Sequence, residues 1–138
     1  MTKAFVDTNV FVRFLTNDDA DKQQRSADLF KKVAQGEMQL FTPASTIAEV
    51  VYVLHSRKLY NKSRDEVVRM LLPLVKLSGL KLYRRNVISK SLALFATNHA
   101  LNYGDCMIAA SMSDKISRVL YSFDEGFDTV ESIQRLEP

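Results

Sequence analysis

Asp7, Glu49, Asp105 and Asp124 are the residues whose type and placement could do chemistry. Asp7 closes the apolar run Ala4-Phe5-Val6, and Asp124 closes the run Val119-Leu120-Tyr121-Ser122-Phe123. Asp105 follows Tyr103-Gly104 at the start of a helical segment, and Glu49 falls on the polar side of a helix entered directly from a strand. Each alone has a plainer explanation: Asp7 and Asp105 suit helix caps, Asp124 a turn, Glu49 a solvated surface. Together they fit one chemistry. Clustered carboxylates repel and hold their protons unless a cation compensates them, so their convergence implies bound metal. Hard oxygen donors that leave coordination positions open suit magnesium or manganese and a phosphate substrate, the design of a phosphodiester hydrolase. A helix start beside Asp105 adds partial positive charge that helps keep it ionised.

The elements that must position these acids follow from periodicity. Residues 4–6 read as a buried strand that turns into a short helix across residues 10–15. Asp18 and Asp19 read as caps of a helix over about Ala20–Ala34, with Ala27, Phe30, Val33 and Ala34 on one face and Gly36 as its stop. Residues 38–41 predict a second strand. Thr42-Pro43 then opens a third helix, with the Thr42 hydroxyl as N-cap and Pro43 at the first helical position. In that helix Ile47, Val50, Val51 and Leu54 form a core-facing stripe, while Ser45, Glu49, Tyr52 and Ser56 lie opposite. A further helix starts near Arg64, and Pro73 is expected to break or kink it before Leu74. Then come a strand at 80–83, helices at 87–100 and 107–112, a strand at 119–123 ending at Asp124, a loop from Glu125 to Asp128, and a short strand within 132–136. Alternating strands and helices predict an α/β fold, a parallel sheet with helices on both faces. Ligands collect beyond the carboxyl ends of such strands, where Asp7 and Asp124 stand.

The whole chain narrows the class. Its 138 residues suffice for one core, so a single domain over residues 1–138 is expected. A hydrophobic fraction of 46% with four Gly and three Pro excludes a disordered chain. Charge interrupts every apolar run before the roughly eighteen residues of a membrane span, and neither a signal peptide nor an anchor is evident, so no membrane association is expected. A lone cysteine, Cys106, forms no internal disulfide and suits a reducing, cytoplasmic setting. Charge is unevenly spread: residues 57–90 carry ten Lys/Arg against Asp65 and Glu66, leaving nine basic and fourteen acidic residues elsewhere. That pattern fits a protein that offers cations to a polyanion, and equally fits solvated helix faces.

Four blocks carry a family resemblance: Phe5-Val6-Asp7-Thr8-Asn9, Ile47-Ala48-Glu49-Val50, Asp105-Cys106-Met107-Ile108-Ala109-Ala110 and Tyr121-Ser122-Phe123-Asp124. In order and spacing they resemble PIN-domain ribonucleases, particularly the VapC-like toxins of prokaryotic toxin–antitoxin pairs. The resemblance implies a three-layer α/β/α PIN-like fold with a central parallel sheet of four to five strands. It also implies endoribonuclease activity with Mg2+ or Mn2+, leaving a 5′-phosphate and a 3′-hydroxyl. Carried over by position, Asp7, Glu49, Asp105 and Asp124 are the acidic metal-site residues, and Thr8, Asn9 and Ser122 orient them. Asp7 and Asp105, helped by Asp124, would hold one ion, and Glu49 would assist a second or position water. Cys106 stands where the family often has Ala, and Glu125 and Asp128 are extra acids beside the fourth position. Toxins of this kind are usually homodimers neutralised by a cognate antitoxin. From the basic stretch, Arg57, Lys58, Arg84 and Arg85 are candidates for contacting RNA phosphates.

Other chemistries fit less well. An imidazole-based ribonuclease would use His55 or His99, neither of which ends a strand. Cys106 as nucleophile would need an adjacent base and is more simply a small buried residue. A haloacid-dehalogenase-like phosphatase would want an Asp where Asn9 stands, and four scattered glycines build no phosphate-cradling loop. A nuclease of RNA processing without a toxin role, or a silent RNA- or protein-binding module, would keep the same fold.

Overall fold

Helix starts are encoded by short polar side chains placed just before apolar runs. Asp7, Asp19, Ser63 and Asn102 each accept a backbone N–H at a helix start, satisfying donors that lack an intrahelical partner. The computed structural model describes residues 1–138. These form two compact units, Met1–Arg85 and Asn86–Pro138.

The first unit runs β1 (Thr2–Phe5), α1 (Thr8–Leu15), α2 (Ala20–Ala34), β2 (Met38–Thr42), α3 (Ala44–His55), α4 (Arg64–Val75) and β3 (Leu80–Leu82). Its strands pair in parallel in the order β1-β2-β3, with Ala4 beside Leu40 and Leu40 beside Leu80. The Ile47, Val50, Val51 and Leu54 stripe of α3 is fully buried, leaving Glu49 and Tyr52 exposed on the other side. Phe30 of α2 joins this unit's core, with its ring 5.4 Å from Phe11 and 4.9 Å from Phe14 of α1. These tilted aromatic contacts fix how α1 lies on α2.

Four local expectations are corrected. β1 is mostly exposed rather than buried: Thr2, Lys3 and Phe5 face solvent, Phe5 at 84%, and Val6, just beyond, takes the buried place. Thr42 does not cap α3: it belongs to β2 and its hydroxyl donates to the Val6 carbonyl at 3.1 Å, so Pro43 occupies the N-cap position without a side-chain bond. α4 runs through Pro73 to Val75: the proline leaves the Arg69 carbonyl without its helical N–H, and the burial of Leu71, Leu74 and Val75 carries the helix past it. Only Asp19 caps α2, and Asp18 turns instead to Arg13, Thr16 and Tyr60.

The second unit contains α5 (Arg85–Thr97, its first residue closing unit one), α6 (Tyr103–Ser111), β4 (Val119–Tyr121), a 3₁₀ turn (Glu125–Thr129) and β5 (Gln134–Leu136). Its buried apolar side chains include Ile88, Leu92, Phe95, Leu101, Cys106 and Phe127. Tyr103 meets Phe95 edge-on at 5.7 Å, and its hydroxyl lies 2.8 Å from that of buried Ser91, so the two satisfy each other. Burial pushes the Tyr103 phenol above its ordinary pKa. Gly126 is required at its position: a Cβ there would stand 2.6 Å from the Ala100 carbonyl oxygen.

The α/β class and the parallel pairing hold throughout. In place of the expected single sheet of four to five strands, the hydrogen bonds form a ladder of three, β1-β2-β3, and a ladder of two, β4-β5. No helix is long and apolar enough to cross a membrane.

Candidate metal centre

In the first unit the end of β1 is pinned before the chain reaches Asp7. The Val6 N–H donates to the Phe41 carbonyl at 3.0 Å, and the Val6 carbonyl receives the Thr42 hydroxyl. Asp7 then leaves the ladder in extended conformation as N-cap of α1, its Oδ1 accepting the Thr8 N–H at 2.7 Å. Thr8 is buried, and its hydroxyl donates to Glu49 Oε2 at 2.7 Å, tying the start of α1 to the exposed side of α3. Asp7, Thr8, Asn9 and Glu49 thereby share one hollow of about 260 Å³. Asp7 Oδ2 and Glu49 Oε1 are the carboxylate oxygens left for a ligand.

Sequence reasoning missed two further residues of that wall, Arg13 and Tyr60. Asp18 holds both: it accepts from Arg13 Nη1 at 3.1 Å and from the Tyr60 hydroxyl at 2.8 Å, with Thr16 Oγ1 adding a third bond at 3.2 Å. The Tyr60 bond, then the Thr16 bond and the Arg13 charge, hold the Asp18 carboxyl below its ordinary pKa. Arg13 was findable, one turn beyond Asn9 on the polar side of α1. Tyr60 lies in an irregular stretch with no periodic signal.

In the second unit Asp105 is the third residue of α6, in a capping box with Asn102: the Asp105 N–H donates to Asn102 Oδ1 at 2.8 Å, and Asp105 Oδ2 accepts the Asn102 N–H at 3.3 Å. Asp124 caps the 3₁₀ turn through Oδ1, which accepts the Gly126 N–H at 2.8 Å. Ser122 Oγ receives the Asp124 N–H at 3.0 Å. Asp128 is already committed, because Arg135 donates to both of its oxygens at 2.9 and 3.1 Å and holds its carboxyl below the ordinary range. Between the two, Asp124 is the acid left to bind something else. Within neither unit do three carboxylate, histidine or cysteine side chains cluster as a metal cage.

Of the basic candidates, Arg57, Lys58 and Arg84 are exposed, Arg84 at a φ of 57°. Arg85 is half-buried and its guanidinium donates to the carbonyls of Val75, Leu77 and Leu80, so its charge serves the end of α4. Of the residues behind the alternative chemistries, Cys106 is wholly buried, which weakens it as a nucleophile, and His55 Nδ1 lies 2.8 Å from the Lys62 carbonyl.

The oxygen donors lining the hollow are two carboxylates, the Thr8 and Tyr60 hydroxyls and the Asn9 amide, without sulfur or imidazole, and such a set fits a hard divalent cation that keeps several waters. The parallel α/β architecture with acids after β1 and on α3 defines a class, and the family comparison agrees. The PIN domain model matches residues 4–133, and the protein belongs to the PIN domain family. PIN domains are generally nuclease domains, typically metal-dependent and acting on RNA. No curated protein matches the chain.

Proposed function

We propose that this chain is a single PIN domain acting as a Mg2+- or Mn2+-dependent endoribonuclease, with Asp7, Glu49, Asp105 and Asp124 as its metal-holding acids. The observation that carries the proposal is the 2.7 Å bond from buried Thr8 to Glu49, which holds that carboxylate beside Asp7. A buried hydroxyl spent on an exposed acid contributes little to a core and much to the orientation of that acid. Asp105 and Asp124 enter on their motifs and on the same manner of support, one oxygen engaged by a backbone N–H. Asn9 and Ser122 complete the supporting set.

When bound, the dication supplies Lewis acidity toward phosphate and the attacking water. The chain's own work is positional. Asp7 keeps one oxygen at the start of α1, where the helix dipole favours its charge. Glu49, fixed through Oε2, offers Oε1 to orient water or accept its proton. Arg57, Lys58 and Arg84 are exposed cations available to RNA phosphates. In the cell we infer the toxin of a toxin–antitoxin pair, cytoplasmic, homodimeric and neutralised by a cognate antitoxin.

The test is cleavage of single-stranded RNA with magnesium or manganese, with chelator, and by Asp7→Asn, which keeps a capping side chain and loses the charge. Cleavage abolished by chelator and substitution, with the melting temperature retained, supports the proposal; activity surviving both refutes it. RNA binding that survives without cleavage would instead mark a binding module. Growth arrest on expression, relieved by Asp7→Asn, tests the toxin role.

A further inference from the structure

A second hollow, of about 480 Å³, lies between α1 and α2 and shares Asn9 and Arg13 with the carboxylate hollow. Its wall carries three cations, Arg13, Lys22 and Arg25, and no carboxylate; Val10 and Leu29 supply apolar surface. The α2 residues fall at i, i+3 and i+7 (Lys22, Arg25, Leu29), so one face of that helix is dedicated to the hollow. Each cation has an acidic neighbour outside the wall: Asp18 at 3.1 Å from Arg13, Asp19 at 3.9 Å from Lys22, Asp21 at 3.3 Å from Arg25. The Arg25–Asp21 pair is exposed on both sides and the other two are exposed on one, and pairs open to solvent exchange partners at little cost.

We propose that this hollow is a binding subsite for the phosphate backbone of single-stranded RNA, in which Arg13, Lys22 and Arg25 hold phosphates next to the one presented to Asp7 and Glu49. The proposal rests on the nuclease reading above and places the strand on a different set of cations from the basic stretch at 57–90. Arg13 is the link, since it borders both hollows and is held there by Asp18. Asn9 and Arg13 lie one helical turn apart, about 6 Å along α1, so a strand lying along that helix passes from one hollow into the other. The guanidinium of Arg13 offers a forked pair of donors that matches phosphate oxygens. A hollow of this volume is in the range that small polar ligands occupy.

The experiment measures binding of a short fluorescent single-stranded RNA of mixed sequence to the full chain by anisotropy, with chelator present, over a salt series. Arg13→Ala and Arg25→Glu should each weaken binding by about tenfold, the scale of one charge-assisted contact. Their combination should flatten the slope of log affinity against log salt by about 1.4, two contacts' worth on a single strand. Lys31→Ala, in the last turn of α2 and outside the wall, should leave both readouts unchanged. Arg25 is highly exposed, so Arg25→Glu and Lys22→Glu carry the test should Arg13→Ala disturb the fold. Affinity and slope unchanged in folded variants overturn the subsite and leave metal-dependent cleavage untouched. Binding that depends on these cations without any metal-dependent cleavage upholds the subsite and overturns the nuclease reading.

Discussion

Replacing Thr8 by Val removes one hydroxyl and keeps the shape of a buried side chain, isolating the bond to Glu49. A hydrogen bond to a charged acceptor contributes roughly 1.5–3 kcal/mol. Glu49 is exposed, so water takes over as its donor, and we expect a loss of about 1 kcal/mol in stability. For 138 residues that lowers the melting temperature by about 3 °C. The effect on activity should be larger than stability alone explains. With Oε2 released, Glu49 samples rotamers, and kcat for RNA cleavage should fall by about tenfold, some 1.4 kcal/mol of barrier, with KM for RNA unchanged. Thr8→Ser restores the hydroxyl and should recover most of kcat. Calorimetry with initial-rate kinetics under saturating magnesium separates the two effects. A folded Thr8→Val chain with wild-type kcat would show that the bond does not orient a functional acid.

Tyr60→Phe removes the chief cause of the lowered Asp18 pKa, so carboxyl NMR titration should find Asp18 moved back up toward 3.8. Because the folded pKa lies below that ordinary value, the stability Asp18 contributes is present above it and lost as pH falls through the folded value; Tyr60→Phe should shrink the loss between pH 4 and strong acid. Arg85→Ala strips three carbonyls of a charged donor and should cost about 2 kcal/mol in urea unfolding, with Arg85→Lys restoring only part. Gly126→Ala forces a Cβ against the Ala100 carbonyl and should destabilise by roughly 1–3 kcal/mol, read as a lowered melting temperature.

Where one residue serves one periodic role, the fold was legible. The α3 stripe follows from spacing alone, and so does the parallel α/β class. Legibility failed where a side chain had two possible partners. Thr42 precedes a proline and reads as a cap, yet the parallel pairing of β1 with β2 brings the Val6 carbonyl within reach of its hydroxyl. Asp18 and Asp19 are equivalent by local rules, and only the fold shows that one caps while the other gathers Arg13, Thr16 and Tyr60. Pro73 was judged as a helix breaker without the burial of Leu74 and Val75 that carries the helix past it. Asp7 and Glu49 are singled out by motif, but the bond that brings Glu49 to the start of α1 joins Thr8 to a residue 41 positions away, which no local pattern shows. Asp124 is preferred in sequence because it directly follows a strand, and the Arg135 bonds to both oxygens of Asp128 are a second reason that sequence does not show.

The same donors that made each acid look ordinary bear on how it would hold an ion in the proposed centre. Asp7, Glu49, Asp105 and Asp124 each give one oxygen to a donor from the protein and keep the other. In the proposed centre each acid would offer an ion its unengaged oxygen first, since the other already accepts a hydrogen bond and has one lone pair fewer to give. Calcium gains its affinity from a large shell that often includes a bidentate carboxylate, whereas magnesium accepts single oxygens and fills its octahedron with water. On the proposed reading, the donors that hold these four acids would favour an ion satisfied by single oxygens and water.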